Sequence, residues 1–237
     1  MNYFPSNKRK LQRELFLALD QQQDSHCNDF IRKCKEVDNE IIITSRDTRA
    51  GYEGKTLLHT ASKLGYTAAV RYLLSVGHEI DPVDSSVSLI TPLMEAIEAN
   101  HIRTSCILVE SGADLFNLDV RNENAVHYAA RVGSRMVIGL MKSSKLPKEK
   151  IQELLSTSNV KHKFPEDMAN SELTREVLHD YRTAGRHQAK NRKTLDSYED
   201  ILKKASTQKP KGHGFDYNFM FGSSDSDDGG PLSISNL

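Results

Sequence analysis

Residues 51–56 carry the residue types of a phosphate-binding loop, because the segment ends in Gly-Lys-Thr and follows an apolar run at residues 41–43. A phosphate loop has the pattern GxxxxGK[ST], whose first glycine lets the backbone wrap around the phosphates. Arg49 occupies that first position here. A nucleotide-binding fold also needs strands that alternate with helices, and the sequence lacks that alternation. The segment is therefore predicted to be the turn that opens a repeat, and not a nucleotide site.

The histidines and cysteines are the other residues that could do chemistry, as metal ligands or as parts of a catalytic site. The nine histidines form no HExxH or HxxxH pair, and the three cysteines form no CxxC pair or zinc-type spacing. No GxSxG nucleophile motif occurs. Cys27 and Cys34 lie on one apolar helix face, which predicts core thiols. The sequence thus predicts a protein that is not an enzyme and that holds no cofactor and no metal.

An internal repeat is the strongest pattern in the chain. Three six-residue segments align, and their starts are 35 and 33 residues apart. The segments read TLLHTA from Thr56, TPLMEA from Thr91 and NAVHYA from Asn124. Nine residues after each start stands Gly65, Asn100 or Gly133, the residue types that favour a turn. Apolar residues recur at helical spacing around each start, which predicts short helices that must stack to bury their apolar faces.

These segments resemble the ankyrin repeat, whose pattern is TPLHxA followed by a glycine turn, a leucine pair and a Gly-Ala-Asp ending. Residues 111–115, Ser-Gly-Ala-Asp-Leu, match that ending, whereas Met94 replaces the histidine. The resemblance implies an all-α ankyrin-repeat solenoid of about five helix pairs with degenerate terminal caps, over residues 7–182. The clearest repeats are 54–89, 90–123 and 124–163. The resemblance also implies that His59 and His127 brace neighbouring turns by hydrogen bonds.

The flanks of the clear repeats are interpreted as degenerate repeats. Upstream, two apolar stripes predict a helix pair over residues 7–37, and the three isoleucines at 41–43 predict an extended arm. Downstream, a proline predicts the start of an extra helix over residues 147–155. Residues 164–169 resemble a worn repeat start, so a second helix is expected over residues 173–181.

Composition limits what the chain binds and where it works. Lysine plus arginine equals aspartate plus glutamate at 32 each, so no whole-molecule field favours nucleic acid or an anionic membrane. No apolar run approaches the roughly 18–20 residues that span a bilayer, and the polar N-terminus lacks the apolar core of a signal peptide. An odd, sparse set of cysteines fits a reducing compartment. We expect a soluble protein in the cytoplasm, the nucleus or both.

Recognition of another protein is the predicted function, through a surface built from consecutive repeats. The protein would act as an adaptor or regulatory subunit, and it is expected to be monomeric in isolation. The candidate contact residues lie on the inner helices or on an arm between repeats. They are Thr60, Lys63, Glu95, Glu98, Tyr128 and Arg131 on the helices, and Asn122 and Glu123 on the arm.

A second hypothesis is a nuclear chromatin or transcription cofactor that reads methyl-lysine. The repeats are similar to the ankyrin domain of the euchromatic histone-lysine methyltransferases, in which an acidic residue assists an aromatic cage between two repeats. Tyr128 matches an aromatic position and Glu98 matches the acidic one, but Glu95 stands where that family has a tryptophan. The simpler interpretation is a solvated glutamate and a helix-packing tyrosine. Residues 186–193, rich in lysine and arginine, would supply nuclear import.

The C-terminal part of the sequence changes character. Residues 183–211 are interpreted as a basic linker with one helix, and residues 212–237 as an acidic-aromatic tail that is disordered in isolation. Four aromatic residues of the tail predict a linear motif that folds on a partner. They are Phe215, Tyr217, Phe219 and Phe221. Ser224 and Ser226 lie among aspartates, as the sites of acidophilic kinases do, and are candidate phosphorylation sites.

Overall fold

Short helices make up most of the protein that the structure, a computed structural model, describes: residues 5–21, 27–48, 54–84 and 88–183. The predicted basic linker after its first residue, Thr183, the aromatic linear motif and the two candidate phosphorylation sites lie outside the described residues. In the described ranges no helix combines the length and the apolar character that a membrane crossing requires.

Two rows of helices stack along the chain. The helices are α1 (Pro5–Asp20), α2 (Asn28–Lys35), α3 (Asn39–Thr44), α4 (Leu57–Lys63), α5 (Thr67–Ser75), α6 (Pro92–Glu98), α7 (Ile102–Glu110), α8 (Ala125–Val132), α9 (Ser134–Ser144), α10 (Lys148–Leu155), a 3₁₀ helix (Pro165–Met168) and α11 (Glu172–Thr183). The inner row is α1, α4, α6, α8 and the 3₁₀ helix, and the outer row is α2, α5, α7, α9 and α11. Each inner helix packs on its outer partner and on the next inner one. This arrangement confirms the predicted all-α stack of five helix pairs.

Side chains at the repeat starts fix where the inner helices begin. The hydroxyl of Thr56 accepts a hydrogen bond from the backbone N–H of His59, and the hydroxyl of Thr91 accepts one from Met94. Asn124 does the same with its amide oxygen for α8. These N-caps satisfy backbone donors that the first helical turn leaves unpaired. Because all three caps are buried, water could not replace them.

The backbone is left-handed just after α4, α6 and α8. This conformation explains why Gly, Asn and Gly stand nine residues after the three repeat starts. Gly65, Asn100 and Gly133 have φ angles of +74°, +61° and +136°. Glycine adopts this region without steric cost, and asparagine is among the few other residues that tolerate it. The turn reverses the chain so that the outer helix packs back on the inner one. At Gly65 a Cβ atom would also lie 2.4 Å from Nδ1 of His101, so the ring of the next repeat covers this glycine.

Two histidines, one on α4 and one on α8, tie their helices to the next arm, as the resemblance implied. The backbone N–H of Thr56 donates to Nδ1 of His59 at 3.1 Å, so the ring proton is on Nε2, which donates to the carbonyl of Ile90 at 2.9 Å. His127 is held at its own cap in the same way, and its Nε2 lies 3.3 Å from the carbonyl of Lys163. The third pair has Met94 at this position and cannot make such a bond.

The arms are four short segments that precede the inner helices: arm 1 (47–55), arm 2 (84–90), arm 3 (119–123) and arm 4 (159–163). Each arm is closed by the same backbone hydrogen bond, from the N–H of its first residue to the carbonyl of its last. Neighbouring arms are also joined, because Val120 N–H donates to the Ser88 carbonyl at 3.1 Å and Val160 N–H donates to the Arg121 carbonyl at 2.9 Å. Arms 2, 3 and 4 are therefore joined to one another along the inner row.

The prediction of an extended arm at residues 41–43 is wrong. These isoleucines belong to α3, which begins because the Asp38 carboxylate accepts a hydrogen bond from the N–H of Glu40 at 3.0 Å. Ile41 and Ile42 are buried, so the helix contributes to the core. The extra helix after Pro147 is present as α10, and the worn repeat start forms the 3₁₀ helix. Cys27 and Cys34 are buried thiols, and burial raises the pKa of Cys34 to about 12.

Substituting Gly65 tests the close approach of the His101 ring. We expect Gly65→Ala to lower the free energy of unfolding by about 2–3 kcal/mol, because strain at positive φ adds to a clash with the ring. Gly112→Ala is the matched control: its φ is +101°, but no atom lies within 4 Å of the added Cβ. It should cost only about 1 kcal/mol. Urea denaturation measures both, and equal losses would contradict the contact with His101.

Acid should weaken the stack through His59. Burial lowers the pKa of this ring to about 4 in the folded protein, against an ordinary value of 6.5. The ring therefore favours folding fully above pH 6.5, and this contribution is lost as the pH falls towards 4 because the unfolded chain takes up the proton first. At about pH 5 the loss from His59 alone is about 2 kcal/mol. Urea denaturation of the wild type and of His59→Gln, above pH 6.5 and at about pH 5, measures this effect. We expect the free energy of unfolding to fall less on acidification in the variant than in the wild type.

Candidate functional site

The eight predicted contact residues divide into exposed and buried groups. Lys63, Glu98 and Asn122 are exposed, and Arg131 is half-buried. The expectation that all eight present their side chains to solvent is wrong for the other four. Thr60, Glu95 and Tyr128 are buried because α4, α6 and α8 pack side by side and turn these positions towards their neighbours. Glu123 is buried on arm 3, where it bonds to Arg131 of α8 and Asn159 of arm 4. The partner-binding role of the eight residues stays a prediction.

A buried ion pair links the second helix pair to the third. The ammonium group of Lys55, the last residue of arm 1, pairs with the Glu95 carboxylate on α6. The Lys55 side chain is 14% exposed and that of Glu95 is 5% exposed, so little water screens the pair. The lysine of the Gly-Lys-Thr segment is thus used between repeats, and the threonine of that segment, Thr56, caps α4.

Glu123 is the centre of a larger network between arm 3, arm 4 and α8. Its side chain is 3% exposed. One carboxylate oxygen accepts from Nη1 of Arg131 at 2.7 Å and lies 3.2 Å from Nη2 of Arg121. The other oxygen accepts from Nδ2 of Asn159 at 2.9 Å. Three donors from two repeats therefore balance the buried charge, as a buried carboxylate requires.

Tyr128 is enclosed by the same network. Its hydroxyl donates to Asp119 at 2.8 Å and accepts from Arg121 at 2.9 Å. The guanidinium carbon of Arg131 lies 4.5 Å from the ring centre and that of Arg121 lies 5.5 Å from it. Burial, followed by the interaction with Asp119, raises the pKa of Tyr128. The ring already stacks with protein cations, so it does not offer the open aromatic face that a methyl-lysine cage needs.

Asp119 stays ionised although it is buried. Burial acts to raise the pKa of this carboxyl group, but hydrogen bonds from the Glu123 N–H, the Tyr128 hydroxyl and Arg121 together outweigh it and hold the pKa below its usual value. The charged form of Asp119 therefore anchors both the arm backbone and the tyrosine.

Lys55, Asp119, Arg121 and Asn159 were not among the predicted site residues. Two of them could have been found from a recurring position, because every arm begins with Asp or Asn. Asp47 and Asp84 begin arms 1 and 2, and Asp119 and Asn159 begin arms 3 and 4. Asp and Asn favour such turns because their side chains bond to nearby backbone N–H groups. No comparable pattern marks the lysine and the arginine.

A cleft of about 200 Å³ opens beside this network, between arm 3 and arm 4. Four of its eight lining residues are cationic, and the others supply one carboxylate, one amide and two apolar side chains. The lining residues are Arg121, Glu123, Arg131, Asn159, Val160, Lys161, Lys163 and Met168. Elsewhere in the described ranges, no group of three or more His, Cys, Asp or Glu side chains is arranged to hold a metal ion. The arrangement is suited to binding and offers no evident nucleophile.

Neutralising Glu123 tests the network. We expect Glu123→Gln to lower the free energy of unfolding by about 2–3 kcal/mol, because two arginines lose their common counter-charge and the new amide donors face them. The cost lies below that of a fully buried pair, since the arginines keep partial access to water. Glu98→Gln, at an exposed position, should change stability by less than about 0.5 kcal/mol. Urea denaturation distinguishes the two, and similar small losses would contradict the network.

Comparison with known proteins identifies the repeats. Residues 15–119 match the family model for ankyrin repeats, in three copies. The match begins in α1 and ends at the first residue of arm 3, so it includes the second and third helix pairs. It does not connect the chain to histone-lysine methyltransferases. No curated protein matches the sequence significantly. Together with the stacked helix pairs, the family match shows that this protein contains ankyrin repeats and has the ankyrin-repeat fold.

Proposed function

We propose that this protein is a non-catalytic adaptor or regulatory subunit that binds another protein through the inner helices and the arms. The observation that carries the proposal is the set of hydrogen bonds and ion pairs between repeats, which holds this surface in one arrangement before any partner arrives. His59 to Ile90, Lys55 to Glu95 and Asn159 to Glu123 each cross a repeat boundary. A surface ordered in advance loses little conformational entropy on binding.

The exposed side chains on this surface have the mixed character of a protein-binding face. Lys63 and Glu98 supply charge on the inner helices, and Asn122 supplies an amide at the tip of arm 3. The arms add exposed apolar groups, since Val120 is 53% exposed and Val160 is 61% exposed. Apolar side chains within a polar setting are typical of sites where proteins meet.

The ankyrin-repeat family supports the same function, because its members generally serve as interaction modules rather than enzymes. We further propose that the aromatic segment at residues 215–221 makes a second, linear contact with the partner, and that the protein works in the cytoplasm, the nucleus or both. Two linked contacts would raise the overall affinity without enlarging either one.

Exchanging charges on the inner face tests this function. We expect the full chain carrying Lys63→Glu and Glu98→Lys to lose most of the proteins that the wild type captures from a cell lysate, because the inner helices would present reversed charges. The matched control is Arg71→Glu with Glu176→Lys, which makes the same exchange at exposed positions of outer helices. Quantitative mass spectrometry provides the readout. Equal capture by the two variants would contradict the inner face as the binding surface.

A further inference from the structure

The cleft between arm 3 and arm 4 differs in charge from the rest of the inner face. Four cationic side chains line it, Arg121, Arg131, Lys161 and Lys163, against the single carboxylate of Glu123. We call these four residues and the space between them the basic cleft. The backbone hydrogen bond from Val160 to Arg121 fixes the distance between the two arms, so the cleft is formed before a ligand binds.

Half of the positive charge of the basic cleft is not neutralised internally. Asp119 pairs with Arg121 and Glu123 pairs with Arg131, which leaves the charges of the two lysines. Glu123 is already satisfied by Arg131, Arg121 and Asn159. The ammonium groups of Lys161 and Lys163 form no ion pair with any residue in the described ranges. Nη2 of Arg131 is buried and likewise has no hydrogen-bond partner there. A buried donor without an acceptor is unfavourable, and an incoming anionic group could relieve it.

We propose that the basic cleft binds an acidic peptide segment of the partner protein, with an aspartate or glutamate carboxylate seated among the four cations. This inference rests on the proposed function, since it names the chemistry of the partner. The guanidinium group of Arg121 is half-exposed, and the two lysines are exposed, so all three can reach a carboxylate at the mouth of the cleft. Pairing with guanidinium groups gives charge-assisted hydrogen bonds, which are stronger than neutral ones.

The size and the walls of the cleft favour a peptide over a nucleic acid. A volume of about 200 Å³ is smaller than small-molecule sites of roughly 300–1,000 Å³ and suits a single side chain. Val160 and Met168 line the cleft beside the cations and can contact the aliphatic part of a glutamate. A nucleic acid would require a basic strip, whereas the neighbouring inner face carries the neutral Lys55–Glu95 pair and the exposed Glu98.

A direct binding measurement tests the assignment. The probe is a fluorescent, glutamate-rich peptide, titrated with the full-length protein and followed by fluorescence anisotropy. The comparison probes are the same peptide with glutamine in place of glutamate, and a single-stranded oligonucleotide of similar charge. We expect only the acidic peptide to bind well, with an affinity that falls as salt is added.

Charge reversal at the mouth of the cleft provides the variant. Lys161→Glu with Lys163→Glu should weaken binding of the acidic peptide by about tenfold or more. The control, Lys33→Glu with Lys35→Glu, has the same spacing on α2 at the other end of the stack and should bind as the wild type does. Circular dichroism checks that both variants are folded, and Lys161→Gln with Lys163→Gln gives a milder second test.

Several outcomes would contradict the proposal that the basic cleft binds an acidic peptide. They are equal binding of the glutamine peptide, an affinity that the lysine substitutions leave unchanged, and tighter binding of the oligonucleotide that depends on the same lysines. The proposed function has a separate readout. If lysate capture still requires Lys63 and Glu98 while the acidic peptide fails to bind, the inference about the cleft fails and the interaction function stands.

Discussion

The structure depends on the fact that no inner helix can be stable alone. Helices α4, α6 and α8 have seven, seven and eight residues, which is shorter than an isolated helix needs in water. Each of them buries residues on almost every side, so each requires an outer helix behind it and an inner helix on both flanks. Stability is therefore shared between neighbours, and the polar contacts that cross repeat boundaries are part of the fold.

That constraint decides which polar residues remain available for recognition. Positions that face a neighbouring repeat are buried and must find partners there, as Glu95 does with Lys55 and Glu123 does with Asn159. Positions one helical turn further along, such as Lys63 and Glu98, lie at the surface. The inner face thus has a layer of buried charged side chains that holds the repeats together and a layer of exposed side chains above it. The two layers meet at the last two arms, where side chains of the network also line an open cleft.

The sequence predicted the helix pairs because turn residues and apolar residues recur at matched offsets, and Gly65, Asn100 and Gly133 do adopt the backbone that their positions require. It did not predict α3, since three isoleucines in a row favour an extended chain and only the cap at Asp38 and the burial of the segment reverse that preference. The burial of the charged residues could not be predicted either. One of the donors that stabilise the buried Glu123 carboxylate is Nδ2 of Asn159, at 2.9 Å. Because Asn159 is 36 residues away in the sequence, no local pattern reveals this contact.

Matched charges also mean that the repeats of this protein are not interchangeable modules. Arrays of identical repeats can be shuffled or extended, because every junction is the same. Here the junction between the second and third pairs joins a lysine to a glutamate, and the junction between the last two joins a glutamate to an asparagine. Moving one repeat to another place in the array would leave Glu95 without its counter-charge or Glu123 without one of its hydrogen-bond donors. The polar side chains at the junctions therefore specify the order of the units.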